Sequence, residues 1–478
     1  MASNRRDFLR NSILGTGMLA SGFASQAASL NNQSSASISE EKHTQRFNMS
    51  GYAAPKLDKV RIGIVGLGMR GPGAVDRISH IEGVEILGLC DQYEDRVEKM
   101  QQLLEKKGLP RAKSYSGSKD AWKQMCENPN IDLIYITTPW SWHTPMAVYA
   151  MEHGKHAATE VPAAQTIDEC WQLVETSERT RKHCMMLENC CYDFFELLTL
   201  NMARQGFFGE IVHGEGAYIH NLLGLNFDKK GYAEMWRLKE NQHRNGNLYP
   251  THGLGPICQV MNINRGDRME YLTSMSSNDF QMAEKAKELA ANDSFFKEFV
   301  TDHYRGNMNT TTIRTYKGRT IKVQHDVTSP HVYSRIHLIS GTKGNACKYP
   351  DPARVATGED WFTPEQMKEL EEKYTPEIVT RIGEMAKKVG GHGGMDFMMD
   401  WRLIDCLRNG LPLDENVYDA ALWSSIAPLS EKSVANRSNS IDVPDFTCGS
   451  WKTNAPVELT LKGGGTTGVR ELKKAMSE

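Results

Sequence analysis

The sequence predicts an α/β protein in two parts: an N-terminal doubly wound parallel sheet, and a C-terminal α+β domain with an open, mostly antiparallel sheet. A buried-strand pattern enters a glycine-rich turn within residues 60–71, and strand and helix patterns then alternate to about residue 190. Further strand patterns cluster between residues 209 and 340. A chain of 478 residues also exceeds one typical hydrophobic core.

The first strand pattern, Val60–Val65, runs into Gly66-x-Gly68-x-x-Gly71. If a helix follows, the three glycines permit a tight turn, let the backbone approach a pyrophosphate, and let helix and strand pack closely. The phosphates would lie at the helix N-terminus, where unpaired N–H groups favour anions. The motif therefore predicts a dinucleotide site in a Rossmann domain.

Asp91 ends the second strand pattern, Val84–Cys90, about 20 residues beyond Gly71, which is the spacing of a carboxylate that binds an adenosine ribose. The alternative is a solvated residue that caps the strand. A carboxylate here repels a 2′-phosphate, so the sequence favours NAD over NADP.

Composition limits the classes of partner. The 56 basic and 59 acidic residues nearly balance, so nothing indicates a nucleic-acid partner. No apolar run reaches the roughly 20 residues of a membrane helix, so stable membrane insertion is not predicted. The cysteines and histidines show no metal-ligand spacing, and no metal is predicted.

Residues 1–28 are predicted to be a twin-arginine export signal. Arg5 and Arg6 precede Phe8 and a modestly apolar segment, and small residues follow at positions 24–28. We therefore expect a partner in the twin-arginine translocation machinery and an exported, periplasmic location. Such export carries folded proteins, which suits an enzyme that binds its dinucleotide beforehand. Residues 29–56 are polar and are predicted to be a linker.

The remaining boundaries follow from the strand and helix patterns: 57–190 for the Rossmann domain, 191–455 for the substrate and oligomerisation domain, and 456–478 for a tail. The loop 137–143 follows a strand pattern and is expected on the cofactor crevice. Trp140 and Trp142 could pack beside the nicotinamide or plug the surface. His143 could cap the next helix or hydrogen-bond near the cofactor.

Several motifs resemble the glucose-fructose oxidoreductase and inositol dehydrogenase superfamily. They are the glycine motif, Asp91, the Thr-Thr-Pro-Trp loop ending at Trp140, and Thr-Glu-Val-Pro at residues 159–162. Members of that superfamily pair a Rossmann domain with an open-faced α/β domain. Its dehydrogenases usually carry Glu-Lys-Pro, and the lysine assists hydride transfer. Val161 stands in that place here and argues against an ordinary dehydrogenase.

Longer motifs resemble glycoside hydrolase family 109, and the similarity runs from about Lys59 to Lys452. They lie at residues 187–192, 249–253, 391–396 and 428–433. The resemblance implies an NAD-dependent α-N-acetylgalactosaminidase. Such an enzyme oxidises the sugar at C3, eliminates the C1 oxygen, adds water and reduces the ketone again, with no net redox change. The sequence offers no obvious pair of carboxylates for conventional glycoside hydrolysis.

The resemblance also implies site residues. Sugar contacts are expected from Tyr218, Arg237, Tyr249, Pro250, Thr251, His252 and Tyr333. Cofactor contacts are expected from Gly66, Gly68, Met69, Arg70, Gly71, Asp91, Trp140, Ser141, Trp142, His143, Glu160, Val161 and Asn189.

His252 and Tyr249 are the predicted catalytic pair, because histidine and tyrosine can exchange protons with a substrate. The division of acid and base roles between them stays open. Tyr218 could instead be a core aromatic, as could Tyr333, and His252 could cap the next helix. His392 is expected to serve structure because glycines surround it.

Two other functions stay open. One is a sugar dehydrogenase that releases NADH and a 3-keto sugar, and the other is a non-catalytic sugar- or NAD-binding protein. An open sheet face also makes a homo-oligomer plausible.

Overall fold

The computed structural model describes residues 43–470, so the predicted export signal, half of the predicted linker and the last eight residues of the predicted tail lie outside the described residues. From Gln45 onward the described chain forms one compact unit. It contains two sheets, of six and eight strands. Among the described residues, no helix combines the length and apolarity needed to cross a membrane.

The first sheet is parallel and has the strand order β3-β2-β1-β4-β5-β6. Its strands are β1 (Val60–Val65), β2 (Val84–Cys90), β3 (Lys113–Tyr115), β4 (Leu133–Ile136), β5 (His156–Thr159) and β6 (Cys184–Met186). The intervening helices are α1 (Gly71–Ser79), α2 (Glu94–Lys106), α3 (Ala121–Glu127), α4 (His143–Glu152) and α5 (Ile167–Thr180). The direction of winding reverses between β1 and β4, which confirms the predicted doubly wound sheet and marks where ligands bind in such folds.

The second sheet has the order β13-β12-β11-β7-β10-β9-β8-β14, and only β7 and β10 pair in parallel among these strands. Its strands are β7 (Ile211–Ile219), β8 (Met269–Ser276), β9 (Asn309–Thr315), β10 (Thr320–Asp326), β11 (Leu338–Gly341), β12 (Asn345–Cys347), β13 (Arg354–Ala356) and β14 (Ile441–Asp442). The prediction of a mostly antiparallel sheet is confirmed.

The second half of the described chain contains nine helices. They are α6 (Phe194–Arg204), α7 (Leu223–Asn226), α8 (Trp236–His243), α9 (Thr251–Val260), α10 (Met282–Asn292), α11 (Pro364–Tyr374), α12 (Glu377–Val389), α13 (Met395–Asn409) and α14 (Val417–Ala435). Of these, α9 packs against β7 and α14 packs against β8. The apolar residues between them, such as Ile257 and Ile313, are fully buried.

The structure differs from the predicted linker over its last twelve residues, 45–56. Met49 is only 3% exposed, and its N–H donates to the Tyr418 hydroxyl over 3.2 Å. The side chain of Gln45 donates to the same hydroxyl over 2.7 Å. The polar composition of the segment concealed the few apolar side chains that anchor it, including Phe47, which packs against Tyr52.

The predicted C-terminal tail is also anchored as far as the structure describes it. Val469 forms a bridge with Ile81, and Trp401 Nε1 donates to the Thr467 carbonyl over 3.1 Å. The end of the described chain therefore packs against the first half of the molecule at Ile81. Residues 456–470 contain no helix and no extended strand, so these contacts are what hold them in place.

Candidate active site

A cavity of about 630 Å³ lies at the carboxyl ends of β1, β2 and β4. Its floor is the glycine-rich turn, residues 66–70, and Asp91 stands beside it. Residues 137–139 form one wall, and residues 230–234 from the second half of the chain face the turn. The volume is in the range of ligand and cofactor sites, and the position is the switch point of the sheet.

The glycines of the turn fit a dinucleotide. A Cβ on Gly66, whose φ is +93°, would lie 2.7 Å from the Thr137 carbonyl carbon, and one on Gly71 would lie 2.3 Å from the Gly66 oxygen. Gly66 therefore serves the tight turn and Gly71 the close packing of α1 on β1. A Cβ on Gly68 would meet only the Arg96 side chain, at 3.4 Å, so the backbone there opens on the cavity. These are the three roles that a pyrophosphate site requires.

Asp91 lines the same cavity, and its carboxylate is fixed by backbone N–H donors. Its Oδ2 accepts from the Leu67 N–H over 2.8 Å, and its Oδ1 accepts from the Tyr93 N–H over 3.0 Å. The side chain is buried rather than solvated. This placement favours the ribose-binding interpretation over the strand-cap alternative.

Three predicted cofactor residues meet around Asp396. Arg70 Nε donates to Glu160 Oε1 over 2.9 Å, and Arg70 Nη2 lies 3.4 Å from Asp396 Oδ2. The Asn189 side-chain amide donates to the other Asp396 oxygen. The charge of Glu160 raises the pKa of Arg70. Burial opposes ionisation of Asp396, but a hydrogen bond from His392 and the charges of Arg70 and Arg77 hold its pKa well below the ordinary value.

The other predicted cofactor residues occupy two kinds of position. Met69, Ser141 and Trp142 line the cavity. His143 is fully buried, with its ring nitrogens 2.7 Å from the Pro162 oxygen and 2.8 Å from the Thr138 oxygen. Val161 is also buried. His143 therefore ties two loops together beneath the cavity surface.

Trp140 connects the cofactor side to the predicted sugar residues. Its ring stacks on Tyr249 with centroids 5.7 Å apart. Tyr218, Tyr249 and His252 then form a triangle with centroid separations of 4.8, 5.2 and 4.9 Å. Tyr333 lies 6.2 Å from Tyr218. The structure thus brings together side chains that lie more than 100 residues apart in the chain.

Arg237 completes this group. Its guanidinium carbon lies 5.0 Å from the Tyr249 centroid and 5.3 Å from the Trp140 centroid. Its Nη1 donates to the Tyr232 hydroxyl over 2.6 Å. The buried Nη2 has no hydrogen-bond partner among the described residues, so it is a donor available to a ligand.

A close backbone approach positions the triangle. A Cβ on Gly216, in β7, would lie 2.1 Å from the Gly253 oxygen in the first turn of α9. Since neither residue has a side chain, the start of α9 rests directly on β7. Pro250 precedes this helix, and Thr251 is its first residue and is buried. His252 consequently lies beside Tyr218.

Glu188 is a site residue that the sequence analysis missed. Its side chain is fully buried, and His252 Nδ1 lies 2.6 Å from Glu188 Oε1. Burial opposes ionisation, but the charge of His252 and its hydrogen bond lower the pKa of Glu188. A carboxylate that accepts from Nδ1–H leaves Nε2 as the basic nitrogen. Glu188 stands next to Asn189 in the motif at residues 187–192, and this position was the sequence signal that could have identified it as a site residue.

Burial keeps the two tyrosines protonated. It raises the pKa of Tyr218 to about 12, with Arg237 opposing the shift. It also raises the pKa of Tyr249 well above its ordinary value, again against Arg237. Both phenols are therefore protonated at neutral pH and can donate hydrogen bonds, which favours His252 as the base of the predicted pair.

His392, which the sequence suggested is structural, lies in a loop of unusual backbone conformation. Residues 390–394 all have positive φ, between +46° and +110°, and the loop presents the His392 side chain 54% exposed. Its Nδ1 lies 2.9 Å from Asp396 Oδ2 and 3.4 Å from Arg70 Nη1. Non-glycine residues in this conformation concentrate at functional sites. The ring therefore lies exposed beside Arg70, which lines the cavity, and is oriented by a buried carboxylate.

Donor atoms of Glu188, Cys190 and His252 lie within 4.8 Å of one another, a spacing that a metal ion could bridge. The hydrogen bond between Glu188 and His252 already engages two of these donors. Burial also raises the pKa of the Cys190 thiol well above its ordinary value, which keeps the sulfur protonated and a poor ligand. The arrangement suits a carboxylate–histidine pair better than a metal site.

Comparison with known proteins assigns the family. Residues 60–188 match the model of the oxidoreductase family, NAD-binding Rossmann fold. Residues 192–453 match the model of the glycosyl hydrolase 109 C-terminal domain. This chain belongs to glycosyl hydrolase family 109. The predicted family and its NAD-binding Rossmann domain are confirmed.

Two relatives that align with most of this chain support its assignment to family 109. A protein named alpha-N-acetylgalactosaminidase, from Bacteroides fragilis, is 50% identical over 417 residues, which is 86% of this chain and 97% of that protein. A family 109 protein from Shewanella pealeana is 45% identical over 469 residues, covering 96% of this chain and 99% of that protein.

Solved structures share the fold of the family 109 chain at low identity. An NAD-binding oxidoreductase from Klebsiella pneumoniae is 17% identical with a TM-score of 0.62, covering 81% of this chain and all of that chain. A myo-inositol dehydrogenase from Lactobacillus casei is 14% identical with a TM-score of 0.55, covering 81% of this chain and 99% of that chain.

Proposed function

We propose that this chain hydrolyses terminal α-linked N-acetylgalactosamine from glycans and uses NAD as a resident cofactor. The observation that carries the proposal is the carboxylate–histidine pair Glu188–His252, which lies beside two neutral tyrosines and is linked to the dinucleotide cavity through Trp140. Family membership and the relative named for this activity support the choice of sugar.

The bound cofactor would supply reversible oxidation of the sugar at C3, which makes the C2 proton acidic and leaves no net redox change. His252 would take the proton from C2 through Nε2, since Glu188 holds its Nδ1. Tyr218 and Tyr249 would donate hydrogen bonds to sugar oxygens, and Arg237 would offer its unpaired Nη2. As the C2–H bond breaks, the C1–O bond breaks; water then returns a hydroxyl group to C1 and a proton to C2.

We assign protonation of the departing aglycone oxygen to His392. Its ring is exposed beside Arg70, which lines the cavity, and Asp396 orients Nδ1. A carboxylate partner of this kind fixes the orientation of a histidine, so that its other ring nitrogen can face a substrate atom. The test is His392→Gln assayed with aryl glycosides of different leaving-group acidity. Turnover should fall most for the least acidic phenol and least for dinitrophenol, whereas an equal loss for all would remove this role.

Hydrolysis is tested with an aryl α-N-acetylgalactosaminide. The proposal expects free phenol without accumulation of NADH. NADH that grows in step with substrate loss would instead favour the sugar dehydrogenase. When the reaction is run in D₂O, the released sugar should carry deuterium at C2, and complete retention of protium there would exclude elimination.

We also propose export through the twin-arginine pathway to the periplasm. The support is the Arg5-Arg6 pair, the apolar segment after it and the small residues before position 29. Arg5→Lys/Arg6→Lys should leave the protein in the cytoplasmic fraction of a twin-arginine-competent host. Unchanged periplasmic recovery of this variant would contradict the proposal.

We propose further that copies of the chain pair through the open face of the second sheet. Tyr271 and Met275 are exposed on β8 and lie four residues apart, so both side chains point to the same face of the strand. Tyr271→Glu/Met275→Glu should shift the mass measured by light scattering to that of a monomer. A wild-type monomer at micromolar concentration would exclude this pairing.

A further inference from the structure

One segment of the second half of the chain crosses the cofactor cavity. We define residues 229–236 as the strap. Residues 230–234 and Trp236 line the same cavity as the glycine-rich turn and Asp91. The strap therefore forms the wall opposite the pyrophosphate cradle, and a dinucleotide in the cavity would lie between the two.

The strap is anchored at both ends. At its start, the Lys229 ammonium pairs with Asp293 and lies 4.5 Å from the centroid of Phe295. At its end, Trp236 packs against Trp140 with centroids 5.1 Å apart. Met235, next to Trp236, is buried. The middle of the strap is thus held between two fixed points.

Within residues 43–470, one hydrogen bond ties the middle of the strap across to the Rossmann domain. The Tyr93 hydroxyl donates to Glu234 Oε1 over 3.2 Å. The N–H of the same Tyr93 donates to Asp91 Oδ1 over 3.0 Å, so the bond lies next to the predicted ribose carboxylate. Tyr93 is 39% exposed and Glu234 is exposed, so water can replace either partner when the bond opens.

The backbone at this contact is strained. Glu234 has φ +56° and ψ +21°, and Met235 has φ +56° and ψ +28°. Two consecutive non-glycine residues in the left-handed region are unfavourable and persist only where surrounding contacts hold them. A strained segment with fixed ends and one exposed cross-cleft bond has the features of a closure that can open.

We propose that the strap, closed by the Tyr93–Glu234 hydrogen bond, retains NAD in the cavity through successive turnovers. The inference rests on the proposed function, because a cofactor that is oxidised and then reduced in one catalytic cycle has no need to leave. Opening of the strap sets the rate of NAD release, and the glycine-rich turn and Asp91 set the affinity of the site beneath it.

The test measures NAD release from the purified holoenzyme. Bound NAD is allowed to dissociate into an excess of a scavenging dehydrogenase with its substrate, and NADH formation is followed by absorbance. Tyr93→Phe should raise the release rate about threefold to tenfold, the effect of losing one solvent-exposed hydrogen bond. Glu234→Ala should do the same, and Glu234→Gln, which keeps an acceptor oxygen, should restore slow release.

Tyr149→Phe is the matched control. Tyr149 also donates to an exposed glutamate, Glu127, over 2.6 Å, but it does not line the cavity. Its removal should leave NAD release unchanged. A further rate increase in Tyr93→Phe/Glu234→Ala beyond either single variant would show that the two side chains act separately and would overturn the proposed closure.

The strap and the hydrolase proposal fail in different ways. Wild-type release faster than glycoside turnover, or equal release from wild type and Tyr93→Phe, would overturn the strap even if glycosides are cleaved. Absence of glycoside cleavage with slow, Tyr93-dependent NAD release would overturn the hydrolase while the strap stands.

Discussion

The cofactor side of the cleft is built from short local segments, whereas the sugar side gathers side chains from distant parts of the chain. On the cofactor side, the backbone of the turn at residues 66–71 forms the predicted pyrophosphate site, and Asp91 at the end of β2 supplies the predicted ribose contact. The sugar side needs Glu188, Tyr218 and His252 to meet across a helix, a strand and a turn. We therefore expect damage on the first side to weaken cofactor binding, and damage on the second to stop turnover with the cofactor still bound.

The largest effect is expected from the carboxylate–histidine pair. His252→Ala should lower turnover about 100- to 10,000-fold, which is the usual contribution of general acid–base catalysis. Glu188→Gln should also lower turnover, because it removes the carboxylate that orients His252. NAD measured in the purified protein should stay at the wild-type level, because neither side chain lines the dinucleotide cavity.

Glu178→Gln is the control for removing a buried carboxylate. Glu178 is also buried, but it accepts from the Tyr418 hydroxyl over 2.9 Å, at the anchored N-terminal segment. Its replacement should leave turnover near the wild-type rate. Loss of NAD from His252→Ala, or normal turnover in that variant, would remove the distinction between the two sides of the cleft.

The same distinction explains what the sequence could predict. The glycine motif and Asp91 were predictable because their chemistry depends on spacing within about 30 residues. Glu188 was missed because its role appears only when the first turn of α9 comes to rest on β7, which depends on the absence of side chains at Gly216 and Gly253.

The sequence also concealed contacts that depend on packing. Its glycine neighbours suggested a structural role for His392, but the loop turns the ring outwards, and only the fold brings Arg70 close to it. The anchored segment around Met49 has a polar composition, so no pattern indicated that it would pack on Tyr418.

A smaller effect is expected on the cofactor side. Asp91→Ala should weaken NAD binding about tenfold to a hundredfold, because hydrogen bonds to a charged group contribute about 1.5 to 3 kcal/mol. The preference for NAD over NADP should also narrow, since the carboxylate no longer repels a 2′-phosphate. Turnover at saturating NAD should change much less than affinity, and titration of the cofactor-free protein separates the two quantities. Unaltered NAD affinity would leave Asp91 as a cap of β2.

The smallest effect is expected where the packing of β7 and α9 sets the geometry of the sugar side. Gly216→Ala places a Cβ 2.1 Å from the Gly253 oxygen, so α9 must move away from β7. We expect a loss of about 1 to 3 kcal/mol in the free energy of unfolding, as for other overpacked sites, together with a fall in turnover.

Gly224→Ala is the matched control, because a Cβ there has no neighbour within 4 Å and the residue lies in α7 without a positive φ. Its unfolding free energy should stay within about 0.5 kcal/mol of wild type. NAD content should be normal in both variants, as measured by absorbance after denaturation. If Gly216→Ala lost stability but kept full turnover, the position of His252 beside Tyr218 would not depend on this contact, and the sugar side would tolerate more movement than its geometry implies.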